Sequence, residues 1–340
     1  MLKGAIIGFG KIAQQSHLKA YQQDELKSDV KITSVVEPLE VNRLEGQKNN
    51  PNLNFYSTTD ELFSKEEIDF VDITAPPKFH SKLIKESIEQ NVNILCEKPF
   101  TLNLEEATET YSQLKNYDKV FIPCHQYKYS PIWQNFKNFL LNENGDAQSL
   151  LQFNIFRLQA DPGGTNFNPA WRTDKSLSGG GILADSGIHY LYLSQWLLGK
   201  PKTVTAKVYN LNHSNYPVED TAMVTLEFEK AVAQITLTWG ADKRVNNARL
   251  ISSTGSLNYE GKTHLIKNLN NKEEKITVPD ASDKAHYFSL YISLIKEFIS
   301  KIKNKERAVN LVDEAFDSIN LLNKCYLSAE LGKTIYLSNE

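Results

Sequence analysis

The first 123 residues alternate between two hydrophobic periods, and this alternation restricts the possible folds more than any other feature of the chain. Short apolar runs recur, and amphipathic stretches separate them. The apolar runs are Gly4–Ile7, Val30–Val36, Phe70–Ile73, Val92–Cys96 and Val120–Ile122. Strands that alternate with helices form βαβ units, and right-handed crossovers place helices on both faces of a parallel sheet. The pattern therefore predicts an α/β domain with a doubly wound, Rossmann-type parallel sheet over residues 1–123.

The pattern changes after Ile122, where alternating runs follow one another without helices between them. Consecutive strands of this kind are typical of an antiparallel sheet. The predicted strands are Ser149–Leu158, Thr203–Tyr209, Thr221–Phe228, Ala231–Trp239, Asn247–Ser253, Ser256–Tyr259, Glu274–Val278 and Thr334–Leu337; the predicted helices are Pro131–Asn142, Gly181–Leu198, His286–Lys303 and Val312–Leu331; a loop is predicted at Asp161–Pro169. We therefore predict a second, α+β domain over residues 124–340, with a large, mostly antiparallel open sheet and C-terminal helices that can pack back on the first domain.

The composition is that of an ordinary globular protein, with 41% hydrophobic and 23% charged residues. The formal net charge of −3 gives no reason to expect nucleic acid or an anionic membrane as a partner. No apolar run approaches the roughly 18 residues that span a bilayer, and the N-terminal residues lack the pattern of a signal peptide. Three dispersed cysteines, Cys96, Cys124 and Cys325, suit neither a disulfide framework nor a zinc site. We therefore expect a cytoplasmic protein with reduced thiols and no bound metal.

A glycine motif follows the first apolar run and opens a helical stretch. The residues Gly8-Phe9-Gly10-Lys11-Ile12-Ala13 have the form G-x-G-x-x-A. In that context the first glycine allows a tight turn, the second lets a pyrophosphate approach the backbone, and the helix N-terminus favours the negative charge. The motif predicts dinucleotide binding by Gly8, Phe9, Gly10, Lys11 and Ile12. The alternative is a glycine turn between strand and helix that holds no ligand.

An acidic residue, Glu37, ends the second apolar run at close to the spacing expected for a carboxylate on the adenosine ribose. Such a carboxylate repels a 2′-phosphate, so Glu37 favours NAD over NADP as the cofactor. The alternative is that Glu37 only caps the helix that starts near Pro38.

Two further strand ends carry residues that we expect beside the cofactor. After Phe70–Ile73 the chain reads Thr74, Ala75, Pro76, Pro77 and, three residues later, His80. Two prolines forbid regular structure, so the chain turns over the sheet edge there. Thr74, Pro76 and His80 are therefore candidate cofactor contacts. The alternative is a plain turn between strand and helix.

The triplet Glu97-Lys98-Pro99 ends the apolar run Val92–Cys96. Open α/β sheets bind ligands at the carboxyl ends of their strands. A desolvated lysine beside a carboxylate can donate a proton to a developing alkoxide or stabilise it by charge. Lys98 is therefore a candidate catalytic residue, and Glu97 a candidate cofactor contact.

In the second half of the chain, Gly179-Gly180-Gly181 precedes Asp185 and His189. These two residues are spaced i, i+4, so on a helix they share one face. A carboxylate one turn from an imidazole can orient it, and histidine is the usual general base. The three glycines allow close approach of another backbone or of a ligand. The alternative is a structural pair, a capping aspartate and a satisfied core histidine.

These motifs together resemble the Gfo/Idh/MocA oxidoreductases, the glucose–fructose oxidoreductase and inositol dehydrogenase group. The resemblance covers nearly the whole chain and is most specific in the Glu97-Lys98-Pro99 triplet and the Asp185/His189 helix. It implies an N-terminal Rossmann domain followed by an α/β domain whose open sheet often forms the dimer interface, with the substrate between nicotinamide and that sheet. It also implies that Lys98 contacts the reacting oxygen, that His189 is the general acid/base with Asp185 nearby, and that the protein forms a homodimer or homotetramer.

Some positions depart from the family pattern. Tyr192 stands where many inositol-dehydrogenase-like members carry an acid, and Lys128, in the segment that begins at Gln126, stands where an arginine is frequent. Gln126 is a candidate substrate contact. Trp171 and Arg172 look like a substrate-facing pair, because an aromatic face suits a sugar ring and a guanidinium suits a carboxylate, phosphate or hydroxyls. The alternative for this pair is a core tryptophan and a surface ion pair.

We therefore predict an NAD(H)-dependent oxidoreductase that acts on a secondary alcohol or ketone of a sugar, cyclitol or sugar derivative. In the oxidative direction His189 takes the hydroxyl proton, Lys98 stabilises the alkoxide, and hydride leaves the same carbon for C4 of nicotinamide. Two alternatives stay open, an NAD-dependent, redox-neutral glycoside hydrolase and a non-catalytic dinucleotide-binding sensor. The presence of both Lys98 and His189 argues against the sensor.

Overall fold

A six-stranded, wholly parallel sheet organises the first part of the chain, in the order β3-β2-β1-β4-β5-β6. Its strands are β1 (Leu2–Ile7), β2 (Val30–Val36), β3 (Asn54–Tyr56), β4 (Phe70–Ile73), β5 (Asn93–Cys96) and β6 (Phe121–Pro123). The direction of the strand order reverses between β1 and β4, which is where doubly wound sheets open a ligand crevice at their carboxyl ends. The predicted Rossmann-type sheet is therefore confirmed.

Helical segments connect these strands. They are a π-helical turn at Ala13–His17, α-helices at Leu18–Tyr21, Glu40–Asn49, Thr59–Lys65, His80–Glu89 and Leu104–Lys115, and a 3-10 turn at Pro77–Phe79. Side chains cap two of the helices, because Thr58 accepts from the backbone N–H of Glu61 at 3.2 Å and Asn103 accepts from that of Glu106 at 2.9 Å. Such caps satisfy backbone donors that have no partner inside the helix.

A nine-stranded sheet organises the second part, in the order β14-β13-β12-β11-β7-β10-β9-β8-β15. Its strands are β7 (Ser149–Leu158), β8 (Thr203–Tyr209), β9 (Thr221–Glu227), β10 (Ala231–Thr238), β11 (Gly240–Ser252), β12 (Gly255–Tyr259), β13 (His264–Leu269), β14 (Lys272–Thr277) and β15 (Ile335–Tyr336). Every pairing is antiparallel except that of β7 with β10. The predicted large, mostly antiparallel sheet is therefore confirmed. The strands β3 and β13 were missed by the sequence analysis.

The helical segments of this part are Gln126–Tyr129 (3-10), Pro131–Asn142, Lys175–Ser178, a π-helical turn at Leu183–Gly187, and Ile188–Leu198. Two more helices, Ser289–Asn304 and Val309–Leu331, close the chain. The predicted continuous helix Gly181–Leu198 is thus a π turn followed by an α-helix. The predicted loop Asp161–Pro169 and the first residue of the predicted helix at His286 lie outside the described residues.

The computed structural model describes residues 1–142, 145, 147–158, 171–261, 263–280 and 287–337. They fall into two compact units. The first comprises Met1–Gln126 and the described residues of Ala285–Ile319, and the second comprises the described residues of Tyr127–Lys284 and Asn320–Glu340. The unit boundary falls inside the helix Val309–Leu331. In the described ranges, no helix is both long enough and apolar enough to cross a bilayer.

Alternating burial shows which face of the nine-stranded sheet is covered. In β7, Leu151, Phe153 and Ile155 are buried, while the residues between them are partly exposed. On the covered face Phe153 meets Trp133 and Tyr190, with ring centroids 5.5 and 5.1 Å away. The helix Ile188–Leu198 lies in this layer and is buried on most sides. This burial holds the helix that carries His189 firmly in the second unit.

Phe298, from the helix Ser289–Asn304, packs inside the first unit, where it is fully buried and its ring lies 5.4 Å from that of Phe70 on β4. We expect Phe298→Ala to lower the free energy of unfolding by ~3–5 kcal/mol, because it leaves a cavity in a packed core. Urea denaturation measures this. Leu44→Ala is the matched control, since Leu44 is 59% exposed in the same unit and its loss is expected to change stability by less than ~0.5 kcal/mol. Equal effects of the two variants would contradict the packing described.

Candidate active site

The glycine loop at the end of β1 has one glycine that the backbone requires and one that leaves space. Gly8 has a φ of +90°, and a Cβ there would lie 2.8 Å from the backbone of Ala75. A Cβ at Gly10 would meet no heavy atom within 4 Å. Gly8 thus serves the close crossing of two backbones, whereas the opening at Gly10 is what a pyrophosphate approaching the loop needs.

The carboxylate of Glu37 ties β2 to this loop. It is 5% exposed and accepts the backbone N–H of Phe9 at 2.9 Å and that of Leu39 at 3.0 Å. Leu39 is the N-cap residue of the helix Glu40–Asn49, and no side chain caps this helix. A carboxylate has about four lone-pair positions, so Glu37 can also accept ribose hydroxyls.

Side-chain hydrogen bonds hold the turn after β4 at both of its ends. The hydroxyl of Thr74 donates to the carbonyl oxygen of Gly8 at 2.6 Å. The buried ring of His80 faces the carbonyl oxygens of Ala75 at 2.8 Å and of Pro99 at 2.7 Å. Burial lowers the pKa of His80, although the hydrogen bonds to both carbonyls oppose this shift. His80 therefore links this turn to the residue after Lys98.

The carboxylate of Glu97, directly after β5, is buried and hydrogen-bonded. Its Oε1 atom accepts the hydroxyl of Tyr291 at 2.7 Å and faces Nε2 of His17 at 3.1 Å, and its Oε2 atom accepts the backbone N–H of Lys98 at 3.0 Å. Burial opposes ionisation of this carboxyl, but the hydrogen bond and the charge of His17 outweigh it and lower the pKa of Glu97 to about 2. Lys98 itself is partly exposed at the carboxyl end of β5.

Gln126, a predicted substrate contact, is 1% exposed within the first unit. Its Nε2 atom donates to the hydroxyls of Tyr287 at 3.1 Å and Tyr291 at 3.0 Å. Across the described ranges its Oε1 atom is buried without a hydrogen-bond partner.

In the second unit the glycine triplet allows the close approach of protein, not of a ligand. A Cβ at Gly181 would lie 1.9 Å from the carbonyl oxygen of Glu219, and one at Gly180 would lie 2.0 Å from the hydroxyl of Tyr326. The buried carboxylate of Glu219 accepts the backbone N–H groups of Gly181 at 2.9 Å and Leu183 at 3.0 Å. Glu219 therefore anchors the start of the segment that leads to His189, a role that the sequence analysis missed.

The imidazole of His189 is 5% exposed and is oriented by two tyrosines. Its Nδ1 atom lies 2.9 Å from the hydroxyl of Tyr192, and the ring of Tyr127 stacks on it at 4.2 Å with an interplanar angle of 13°. The backbone N–H of Tyr127 also donates to the Tyr192 hydroxyl at 3.3 Å. The position that departs from the family pattern thus supplies a partner that orients the predicted catalytic histidine.

Asp185 lies in the π turn, one segment before His189. Its Oδ1 atom is 3.3 Å from Nε of Arg172, and the guanidinium of Arg172 lies 4.4 Å from the centroid of the Trp171 ring. The π turn Leu183–Gly187 that carries Asp185 leads directly into the helix Ile188–Leu198 that carries His189. The structure therefore brings Trp171, Arg172 and Asp185 together, and gives His189 a partner in Tyr192.

Two family models match the chain, one in each of its two parts. The family model described as an oxidoreductase family with an NAD-binding Rossmann fold matches residues 2–125, and the model of the GFO/IDH/MocA C-terminal domain matches residues 143–258. The chain belongs to the Gfo/Idh/MocA family of oxidoreductases. Its first unit therefore contains an NAD-binding Rossmann domain, as predicted.

Individual relatives are distant. An uncharacterized oxidoreductase of Synechocystis is 28% identical over 251 residues, which are 69% of this chain but only 64% of that protein. D-glucoside 3-dehydrogenase of Escherichia coli is 22% identical over 99% of this chain and 97% of its own length. The solved structure of levoglucosan dehydrogenase with NADH and levoglucosan has a TM-score of 0.86 at 18% identity and covers 99% of this chain and 100% of that one. This last likeness shows a shared fold.

Substitution by alanine is expected to have opposite effects at Gly181 and at Gly10. Gly181→Ala would force a Cβ against a backbone oxygen, so we expect a loss of ~1–3 kcal/mol or more in the free energy of unfolding. Gly10→Ala has space for its Cβ, so we expect unchanged stability and weaker NADH binding. Thermal unfolding and NADH fluorescence titration measure the two effects. A destabilised Gly10→Ala protein, or a Gly181→Ala protein as stable as the wild type, would contradict this assignment.

The contacts of His17 also predict a pH dependence of stability. Burial opposes the charged ring, but the charges and hydrogen bonds of Asp72 and Glu97 prevail and raise the pKa of His17 from 6.5 to about 9. A raised pKa stabilises the fold fully below pH 6.5 and loses that contribution as the pH rises through about 9. We expect the melting temperature to fall over this interval in the wild type and to fall less in His17→Gln. Parallel curves for the two proteins would contradict the assignment.

Proposed function

We propose that the protein is an NAD(H)-dependent dehydrogenase that interconverts a secondary alcohol and a ketone on a sugar, cyclitol or sugar derivative. The observation that carries the proposal is the fixed orientation of His189 by Tyr192 and Tyr127 in a chain whose Rossmann domain also presents Lys98 at a strand end. A dinucleotide-binding sensor needs neither an oriented general base nor a lysine at this edge. Both features suit proton transfer coupled to hydride transfer.

The residues of the first unit suit a bound NAD. The glycine loop, formed by Gly8, Phe9, Gly10, Lys11 and Ile12, would hold the pyrophosphate, and the open space at Gly10 supports this. Glu37 would accept the adenosine ribose hydroxyls, and its carboxylate disfavours a 2′-phosphate, so NAD is preferred over NADP. When bound, NAD supplies the hydride acceptor at C4 of its nicotinamide.

The protein's own groups manage the proton and the negative charge. In the oxidative direction Nε2 of His189 accepts the hydroxyl proton, while Nδ1 stays bonded to Tyr192. The ammonium of Lys98 stabilises the alkoxide that forms on the same oxygen. A preorganised charge of this kind is worth most in a site that excludes water. In the reverse direction the same two groups protonate and polarise the ketone.

Substrate hydroxyls would be recognised by the cluster of Trp171, Arg172 and Asp185. The indole face suits the apolar face of a sugar ring, and the guanidinium and the carboxylate can each bind ring hydroxyls. The ion pair between them fixes both groups before the substrate arrives, which lowers the ordering cost of binding.

Self-association is part of the proposal. The face of the nine-stranded sheet opposite the helices is exposed, with Gln152 and Gln234 hydrogen-bonded to each other at 3.0 Å and Met223 52% exposed. We propose that this face pairs two copies in a homodimer, or in each half of a homotetramer. We also propose a cytoplasmic location, which the free, buried thiols of Cys96, Cys124 and Cys325 support. Light scattering and cell fractionation test these two points.

The decisive experiment measures NADH formation from NAD⁺ and NADP⁺ with a panel of levoglucosan, methyl β-D-glucoside, myo-inositol and gluconate. We expect turnover with at least one of these and with NAD⁺ preferred. Lys98→Met and His189→Asn should each lower kcat by ~10²-fold or more, while NADH binding changes little. Lys82→Met is the matched control, because its side chain is 76% exposed and pairs with Glu86 on the same helix.

Two outcomes would redirect the assignment. Hydrolysis of methyl β-D-glucoside without net NADH would indicate the redox-neutral glycoside hydrolase. Full activity of the Lys98→Met and His189→Asn variants would refute the roles given to these residues.

A further inference from the structure

A histidine lies fully buried between two carboxylates in the first unit. Nδ1 of His17 is 2.7 Å from Oδ2 of Asp72, and Nε2 is 3.1 Å from Oε1 of Glu97. The side chains of His17 and Asp72 have no exposed surface, and that of Glu97 is 7% exposed. An ionised carboxylate only accepts hydrogen bonds, so both ring nitrogens must donate. The geometry therefore suits a doubly protonated imidazolium that donates to both carboxyl groups.

The charges that face this ring agree with that state. Asp72 lies in β4 and Glu97 directly follows β5. Tyr21 donates to Asp72 at 3.0 Å and Tyr291 donates to Glu97 at 2.7 Å. Cys124 lies in the same cluster, and burial raises the pKa of its thiol, which keeps it neutral.

His17 reaches the predicted catalytic lysine through one intermediate. The Oε1 atom of Glu97 is hydrogen-bonded to the His17 ring and to the Tyr291 hydroxyl. Its Oε2 atom accepts the backbone N–H of Lys98. The ring of Tyr291 also packs on that of His17 at 4.3 Å. The carboxylate that holds the Lys98 backbone is therefore itself held by an aromatic hydroxyl and a cation.

His17 also reaches the glycine loop, through the chain itself. It is the last residue of the π turn Ala13–His17, which begins three residues after Gly10. A π turn is rare and is found mostly at functional sites, where it changes the direction of a side chain. Here the π turn places the imidazole of His17 beside Glu97. Glu97 directly follows β5 and lies 80 residues later in the sequence.

We propose that His17 is a positioning residue that fixes Lys98, through Glu97, relative to the loop that holds the cofactor pyrophosphate. The inference rests on the proposed catalytic role of Lys98. The cluster also contributes to stability, so a positioning role has to be tested by measurements that stability alone does not change. A fixed distance between the cofactor loop and Lys98 is what such a bridge supplies.

A metal site is the competing interpretation of the same residues. His17, Glu97 and Cys124 place one potential ligand atom each within 4.8 Å of one another. The hydrogen bonds of His17 to two carboxylates already occupy both of its nitrogens, so the protonated ring is favoured over a ligand. Elemental analysis of the purified protein decides this, since one equivalent of a transition metal lost in His17→Gln would overturn the proposal.

The kinetic test compares His17→Gln with Tyr117→Phe, using the panel sugar that the wild type oxidises fastest. Glutamine cannot bridge both carboxylates, so we expect kcat to fall by ~10–100-fold, the effect of misplacing a reacting group by about 1 Å. The KM and the NADH dissociation constant should stay within about threefold. Tyr117→Phe removes a buried hydrogen bond to Val92 in the same unit without touching Glu97, and its kcat should not change.

A double-mutant cycle separates positioning from general damage. If His17 acts through Lys98, His17→Gln should have almost no further effect on the residual rate of Lys98→Met. Additive losses, or an unchanged kcat in His17→Gln, would overturn the inference. An unchanged kcat in Lys98→Met would instead refute the proposed function.

Hydrogen exchange at the Lys98 amide tests the inference without measuring turnover. The backbone N–H of Lys98 is bonded to Glu97, so its hydrogen exchange should accelerate at least tenfold in His17→Gln and stay unchanged in Tyr117→Phe. Equal exchange rates of this amide in wild type and His17→Gln would overturn the inference, whatever the substrate of the enzyme is.

Discussion

Buried glutamates that accept backbone N–H groups fix each segment to which we assign chemistry. Glu37 holds the glycine loop at Phe9, Glu97 holds the backbone at Lys98, and Glu219 holds the start of the segment that leads to His189. Their side chains belong to residues only 5%, 6% and 7% exposed. Buried backbone donors must be paired, and a charged acceptor makes a shorter and stronger bond than a neutral one. Loops that would otherwise move are thereby made rigid parts of the two units.

The surroundings of two of these glutamates differ, and the pKa values show it. Glu97 faces the cation of His17, which outweighs burial and lowers its pKa to about 2. Glu219 is bonded to Tyr326 and to backbone N–H groups, which are neutral donors. Burial therefore prevails there and raises the pKa of Glu219. Ionisation of Glu219 in the second unit is therefore opposed by burial. The ionised form of Glu97 is instead stabilised by the positive charge of His17.

The sequence predicts what depends on local pattern and misses what depends on distant contacts. The alternation of apolar runs predicted both sheets but missed one strand of each, β3 and β13. No residue of β3 is buried, so this strand lacks an apolar run. His17 could not be found by spacing, since its partners lie 55 and 80 residues away. A signal was nonetheless present, because Asp72 sits inside the apolar run Phe70–Ile73, and a charged residue in a buried strand needs a partner.

The surroundings of His189 show what a spacing rule leaves out. The i, i+4 spacing pairs the histidine only with Asp185, which the structure places in a π turn. Tyr192, three residues after the histidine, is a further orienting partner, at the position where many members of the family carry an acid. A carboxylate there would orient the ring and add a negative charge beside it. The phenol of Tyr192 orients the ring without that charge. In the mechanism that we propose, an imidazolium formed on His189 during oxidation would therefore gain no ionic attraction from this partner.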